Sequence, residues 1–179
     1  MRDIIIIGSG GHSRSVISIV KASKKWRKVS IIDTQYSGSS EKILTVPVVG
    51  GMKFLNTVDI SITDIFIAID TKSLDDAKKI INQLSSYNCG IKIGKELFTA
   101  CGPEIVHWVK KKGFKIFLDL KFHDIPNTVM KACEAASRLN IDIINVHTLG
   151  GKEMMMAAKN AVSNTQIKLI GVTLLTSHN

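Results

Sequence analysis

Apolar positions along the chain follow two alternating rhythms. Short unbroken β-branched runs, beginning with Ile4-Ile5-Ile6-Ile7, have the character of strands buried on both faces. Between them the apolar residues recur every three or four positions, the pattern of a helix packed on one side. The first run leads into the turn Gly8-Ser9-Gly10-Gly11, and Val16, Ile17, Ile19 and Val20 then form the apolar side of a helix. Residues 29–33 form a second strand and residues 34–42 a polar loop with Gly38, Ser39 and Ser40. Val46-Pro47-Val48-Val49 is a short extended piece whose proline suits a sheet edge.

From Asp64 the alternation becomes regular. Ile65-Phe66-Ile67-Ala68-Ile69 is a strand ending in Asp70. Ser73 caps the next helix with Asp76 at its third position, and Leu74, Ala77, Ile80, Ile81 and Leu84 form the apolar stripe. Residues 90–93 are a strand. Pro103 opens a helix that Gly113 closes. Residues 115–120 are a strand, Asn127 caps a helix to about 139, and residues 141–146, 152–162 and 168–174 give strand, helix, strand. Met154-Met155-Met156 reads as helix packing. The alternation predicts an α/β fold, a mainly parallel sheet with right-handed crossovers, in a single domain over 1–179 without an internal linker.

Composition narrows the function classes. No apolar run is long enough to span a bilayer, and the four isoleucines near the start are too short for a signal-peptide core. The expectation is a cytoplasmic protein without a membrane partner. The formal charge is +9, with 9 Lys+Arg against 5 Asp+Glu in residues 1–69 and 15 against 10 in residues 70–179. That even spread argues against a nucleic-acid arm and favours anionic small molecules or general solubility. The runs Lys24-Lys25-Trp26-Arg27-Lys28 and Lys110-Lys111-Lys112 both fall where helices should end, and cations favour helix C-termini. Cys89, Cys101 and Cys133 lack C-x-x-C spacing, which argues against disulfides and a zinc site and for buried thiols.

Gly8-Ser9-Gly10-Gly11-His12-Ser13 follows a strand and opens a helix, the context in which backbone N–H groups hold a phosphate. Asp33 ends the second strand where a ribose-binding acid would sit. Residues 1–69, through the glycine turn, Asp33 and Val46-Pro47-Val48-Val49-Gly50-Gly51, resemble the N-terminal Rossmann-like domain of sialic-acid and bacillosamine-type sugar acetyltransferases. The resemblance implies nucleotide-sugar binding. The acetyl transfer of that family belongs to hexapeptide repeats, which this chain lacks, so His12 is not expected to be a catalyst.

The most informative stretch is Phe117-Leu118-Asp119-Leu120-Lys121-Phe122-His123-Asp124. Asp119 and Lys121, two apart on a strand, share one face. Asp124 follows, Lys92 ends the preceding strand and Asp70 the one before. Charges gathered at strand ends mark active sites in parallel α/β folds. Ile67-Ala68-Ile69-Asp70, Ile91-Lys92-Ile93-Gly94-Lys95-Glu96-Leu97-Phe98-Thr99, Asp119 through Thr128, Asn145-Val146-His147 and Val172-Thr173-Leu174-Leu175-Thr176-Ser177 resemble orotidine 5'-monophosphate decarboxylase over residues 65–178. The resemblance implies a catalytic array of Lys92, Asp119, Lys121 and Asp124. Asp124, with Thr128, would serve the neighbouring subunit of a homodimer. Asp70 and Lys92 would contact the ribose and Ser177 the pyrimidine. No metal or organic cofactor is required.

That family is an eight-stranded barrel, and the matching part stops after its fifth strand, before the glutamine and arginine that grip the substrate phosphate. Weak or absent decarboxylation is therefore the expectation. The strand at 65–69 serves both resemblances, giving the order 2-1-3-4-5-6-7 for the main strands of a recombined or engineered chimera. Three alternatives stay open: a closed or dimer-completed barrel, a uridine-nucleotide or nucleotide-sugar binding module using Gly8, Ser9, Gly10 and Gly11 for phosphate, and a structural chimera without activity.

Overall fold

Isoleucine branches at Cβ and favours the pleated strand over the helix, and Arg2–Ile7 forms β1 in the computed structural model of the chain. The structure describes residues 2–7, 17, 20–21, 26–33, 36, 38, 41–58, 63–85 and 89–173. The expected phosphate turn at Gly8, Ser9, Gly10 and Gly11, with His12 and Ser177, lies outside the described residues. The chain divides into two compact units, one built on residues 1–67 and the other on 68–85 and 90–173.

In the first unit β1 pairs in parallel with β2 (Trp26–Ile32) and β5 (Thr63–Ile69), and β2 pairs in parallel with β4 (Val46–Gly50). The order β2-β1-β5 is the one expected. Ile6, Ile17, Ile31, Ile43, Val46 and Val48 make its core. Three expectations are corrected. The Val46–Gly50 piece is not at an edge, because β3 (Lys42–Ile43) pairs antiparallel with it at Lys42 and Pro47. Pro47 has no N–H, and the amide of Val48 donates to Glu41 O instead (2.9 Å). With β2 on one side and β3 on the other, this piece is not available as a further strand to close a barrel, one of the alternatives left open by the sequence. Trp26, Arg27 and Lys28 belong to β2 and are not a helix end, and Arg27 Nε donates to Asp3 Oδ1 (2.8 Å). The β3–β4 turn puts Leu44 and Thr45 at φ 48° and 70°, and Lys21 Nζ ties it down through Leu44 O (3.0 Å) and Thr45 Oγ1 (2.7 Å).

The second unit takes the last residues of β5 and continues β6 (Gly90–Gly94), β7 (Lys115–Phe122), β8 (Ile143–His147) and β9 (Lys168–Val172), each paired in parallel from β6 onward, as expected. α1 (Leu74–Gln83) starts at Ser73, whose Oγ accepts the Asp76 amide (3.2 Å) and donates to its carboxylate (2.8 Å). Ala77, Ile81 and Leu84 are buried, but Ile80 lies on the outer side at 39% exposure. A short helix not foreseen, α2 (Lys95–Cys101), runs directly off β6. α3 (Pro103–Lys111) ends in Lys110 and Lys111 before Gly113 at φ 85°, as expected. α4 (Pro126–Ser137) is entered from Ile125, not capped by Asn127. Pro126 takes the first helical position and pushes the residue before it to extended backbone, φ −60° and ψ 152°. In α5 (Gly151–Val162) Met154 is fully buried while Met156 is exposed, so only part of the methionine run is packing. No helix among the described residues is long and apolar enough to cross a membrane.

Candidate functional site

The site is built around a break in the β7–β8 ladder. Phe117 pairs with Ile143 and Leu118 with Ile144, but the next pair is Phe122 with Val146. β7 therefore advances from 118 to 122 while β8 advances from 144 to 146. The extra residues form a bulge, a feature that re-aims side chains beside functional sites. Lys121 lies in the left-handed region at φ 50°, which costs a non-glycine residue about 1 kcal/mol. Asn145, the one β8 residue within the break, accepts the Lys121 amide on Oδ1 (2.8 Å). Its side chain thus supplies a bond that the interrupted ladder does not.

Asp119 is 5% exposed at the centre. Its Oδ1 accepts from Lys121 Nζ (2.5 Å) and from Asn145 Nδ2 (2.6 Å), and its Oδ2 from Lys92 Nζ (3.2 Å). Lys92, from the middle of β6, also approaches Asp70 Oδ1 at 3.8 Å, where Asp70 is largely solvent-exposed after β5. Two ammonium groups therefore share one buried carboxylate, the arrangement in which a buried charge is tolerated. The structure brings together Lys92, Asp119, Lys121 and, at its rim, Asp70. Asp119 and Lys121, expected to share one strand face, meet through the bulge rather than by plain strand alternation. Asp124 stands apart: it is exposed and its Oδ1 accepts the Ile125 amide (2.7 Å). Thr128 is exposed on the first turn of α4. Among the described residues no three His, Cys, Asp or Glu side chains gather as a metal site.

Two residues of the site had no role assigned from sequence. Asn145 and His147 interrupt the apolar strand Ile143-Ile144-Asn145-Val146-His147, and both are buried, at 2% and 6% exposure. A polar residue in a buried strand must find partners, and that was the available signal. His147 Nδ1 is buried and has no hydrogen-bond partner among the described residues. Its ring lies 5.3 Å from that of His123. Burial first, then the charges of His123, Lys95 and Lys121, hold its pKa below the ordinary 6.5, so the neutral imidazole is favoured.

A parallel βα-repeat unit with a buried carboxylate and two ammonium groups gathered along adjacent strands is a barrel-derived α/β protein with a charged site. The chain belongs to the orotidine 5'-phosphate decarboxylase / HUMPS family, which matches residues 63–179. The PglD N-terminal domain family matches residues 3–84. The two matches overlap at 63–84, across β5 and α1, so the two family segments share these residues. Proteins named orotidine 5'-phosphate decarboxylase from Saccharophagus degradans and Nitrosomonas europaea are 52% and 50% identical to it over 113 and 115 residues. These alignments cover 62% and 64% of this chain and 48% and 50% of the relatives. The chain thus spans about half the length of the curated relatives it matches. The crystal structure of orotidine 5'-phosphate decarboxylase from Lactobacillus acidophilus aligns with a TM-score of 0.61 at 36% identity, over 65% of this chain and 55% of that one. An uncharacterized conserved protein from Geobacillus kaustophilus aligns with the same score and identity, over 64% and 56%.

Proposed function

We propose that this chain carries a decarboxylase site for orotidine 5'-monophosphate, with weak turnover to uridine 5'-monophosphate and CO2. The observation that carries the reading is the buried Asp119 carboxylate bonded to Lys121 at 2.5 Å and Lys92 at 3.2 Å. In this reading the bond from the pyrimidine ring to its carboxylate breaks, and the electron pair stays on the ring carbon. The Lys121 ammonium stabilises that charge as it develops and then gives its proton to the carbon. Asp119 holds both lysine side chains in place through its two oxygens. Lys92 and Asp70 take the ribose and Ser177 the pyrimidine. Asp124 and Thr128, exposed on the second unit, serve the site of a second subunit. No cofactor enters the chemistry.

Loss of substrate absorbance is the test, with Lys121→Ala as control. Turnover that disappears in Lys121→Ala supports the reading, and no turnover above that control rejects it.

The match of residues 3–84 to the PglD N-terminal domain favours a second reading, a uridine-nucleotide or nucleotide-sugar binding module without chemistry. Gly8, Ser9, Gly10 and Gly11 would then hold the phosphate. Titration with uridine 5'-monophosphate would separate the parent from Gly10→Asp in that case, and equal affinities reject it.

A further inference from the structure

Asn145 touches both partners of the central ion pair. Its Nδ2 donates to the same Asp119 oxygen that receives Lys121 Nζ, and its Oδ1 accepts the backbone N–H of Lys121. It is 2% exposed and stands alone on β8 opposite the stretch that β7 bulges out. A side chain that only filled space would need neither bond. An amide is the group that does both jobs at once, with one donor and one acceptor on the same carbon. We infer that Asn145 is a positioning residue: it fixes the orientation of the Asp119 carboxylate and the left-handed backbone of Lys121, and so aims the Lys121 ammonium. Its effect on turnover rests on the decarboxylase reading. The positioning itself does not.

Asn145→Asp isolates the role, because aspartate has nearly the same shape. The charged residues bonded to position 145 are Asp119 and Lys121 of β7, and Lys92 of β6 reaches the other oxygen of Asp119. His147 lies two residues on along β8, His123 follows β7, and Lys95 opens α2. When the new carboxyl is protonated, its O–H donates to Asp119 Oδ1 and its other oxygen accepts the Lys121 amide. When it ionises, the donor is lost and two carboxylates confront each other. A role in packing alone predicts no such dependence.

The readouts are the Lys121 amide resonance and the Asp119 carboxyl carbon resonance, recorded by NMR without substrate against pH. In Asn145→Asp both match the parent at the acid end and depart from it as pH rises, beyond the parent's own titration. In Asn145→Ser, a second variant in case the first fails to fold, the Lys121 amide is displaced at every pH. Where turnover is measurable, kcat falls about 100-fold and KM moves by less than about threefold. A Lys121 amide that stays in place in Asn145→Ser, or an Asn145→Asp pattern that runs parallel to the parent, overturns the inference. If the pH-dependent pattern appears while no turnover exceeds the Lys121→Ala control, the decarboxylase reading fails and the positioning role stands.

Discussion

Asp119→Asn removes one negative charge and almost no volume from the centre of the site. The Asp119 side chain is 6% exposed, Lys92 12% and Lys121 21%. In the variant the two ammonium groups lose the carboxylate they share, and Lys92 keeps only the exposed Asp70 at 3.8 Å. An asparagine Oδ1 can still accept, but its NH2 must meet a lysine ammonium or the NH2 of Asn145, so at least one donor faces a donor. Removing one partner of a buried pair costs about 3–5 kcal/mol. Lys121 retains some contact with water, which places the expectation at the lower end, about 3 kcal/mol. For a chain of this size each kcal/mol moves the midpoint by about 2–4 °C, so Tm should fall by about 6–12 °C. Circular dichroism melts would measure it, with Asp124→Asn as the exposed control, expected within about 0.5 kcal/mol of the parent. Added sulfate should recover part of the loss, since an anion can replace the missing carboxylate. A midpoint for Asp119→Asn within about 2 °C of the parent would refute the claim that Asp119 holds a desolvated charge cluster together.

Two further outcomes test the frame around the site. Gly150 lies in the turn after β8, where a Cβ would overlap Met154 Sδ and come within 3.3 Å of His123 Cδ2. Met154 is fully buried, so Gly150→Ala should destabilise by about 1–3 kcal/mol in urea unfolding. Combined with Met154→Ala it should cost less than the sum of the two singles. Burial pushes the thiols of Cys89 and Cys133 up from 9.0 to about 11. The unfolded chain releases these protons first, so it binds fewer protons than the folded chain between those values. Stability should hold below pH 9 and fall as pH rises through 11. A Cys133→Ala variant should lose part of that slope in denaturant titrations, and an unchanged slope would reject the assignment.

Most strands and helices were legible because burial imposes a period on the sequence. Ile4–Ile7 and the run from Ile65 to Ile69 need both faces covered, and that alone points to a parallel sheet. The pairing of β1 with β2 and β5 followed from the shared strand at 65–69. The failures have local causes. β3 is two residues long, too short to carry a period, so its cover over β4 left no mark. α2 follows β6 without a break, and a glycine at its entry gave no side-chain cap to read. The basic run at 24–28 resembled a helix end by charge alone, yet Arg27 and Lys28 alternate along β2 and Arg27 pairs with Asp3 across to β1. Charge without apolar context does not distinguish the two.

The charged residues of the site were legible, but their geometry was not. Continued in register, β7 and β8 would have placed Asp119 opposite Asn145 and Lys121 opposite His147. The observed pairing of Phe122 with Val146 instead gathers residues 119–121 around Asn145 alone. This draws the backbone of Lys121 back toward Asp119 and returns its ammonium to the same carboxylate that Lys92 reaches from β6. A period-2 reading assigns faces to residues and is blind to such a shift. The mark of the bulge lies on the partner strand, in a buried asparagine between the apolar Ile144 and Val146. Burying that amide is costly unless both its donor and its acceptor are used. Asp119 and the Lys121 N–H use them, so the strand that lacks the reacting charges sets how those charges are presented.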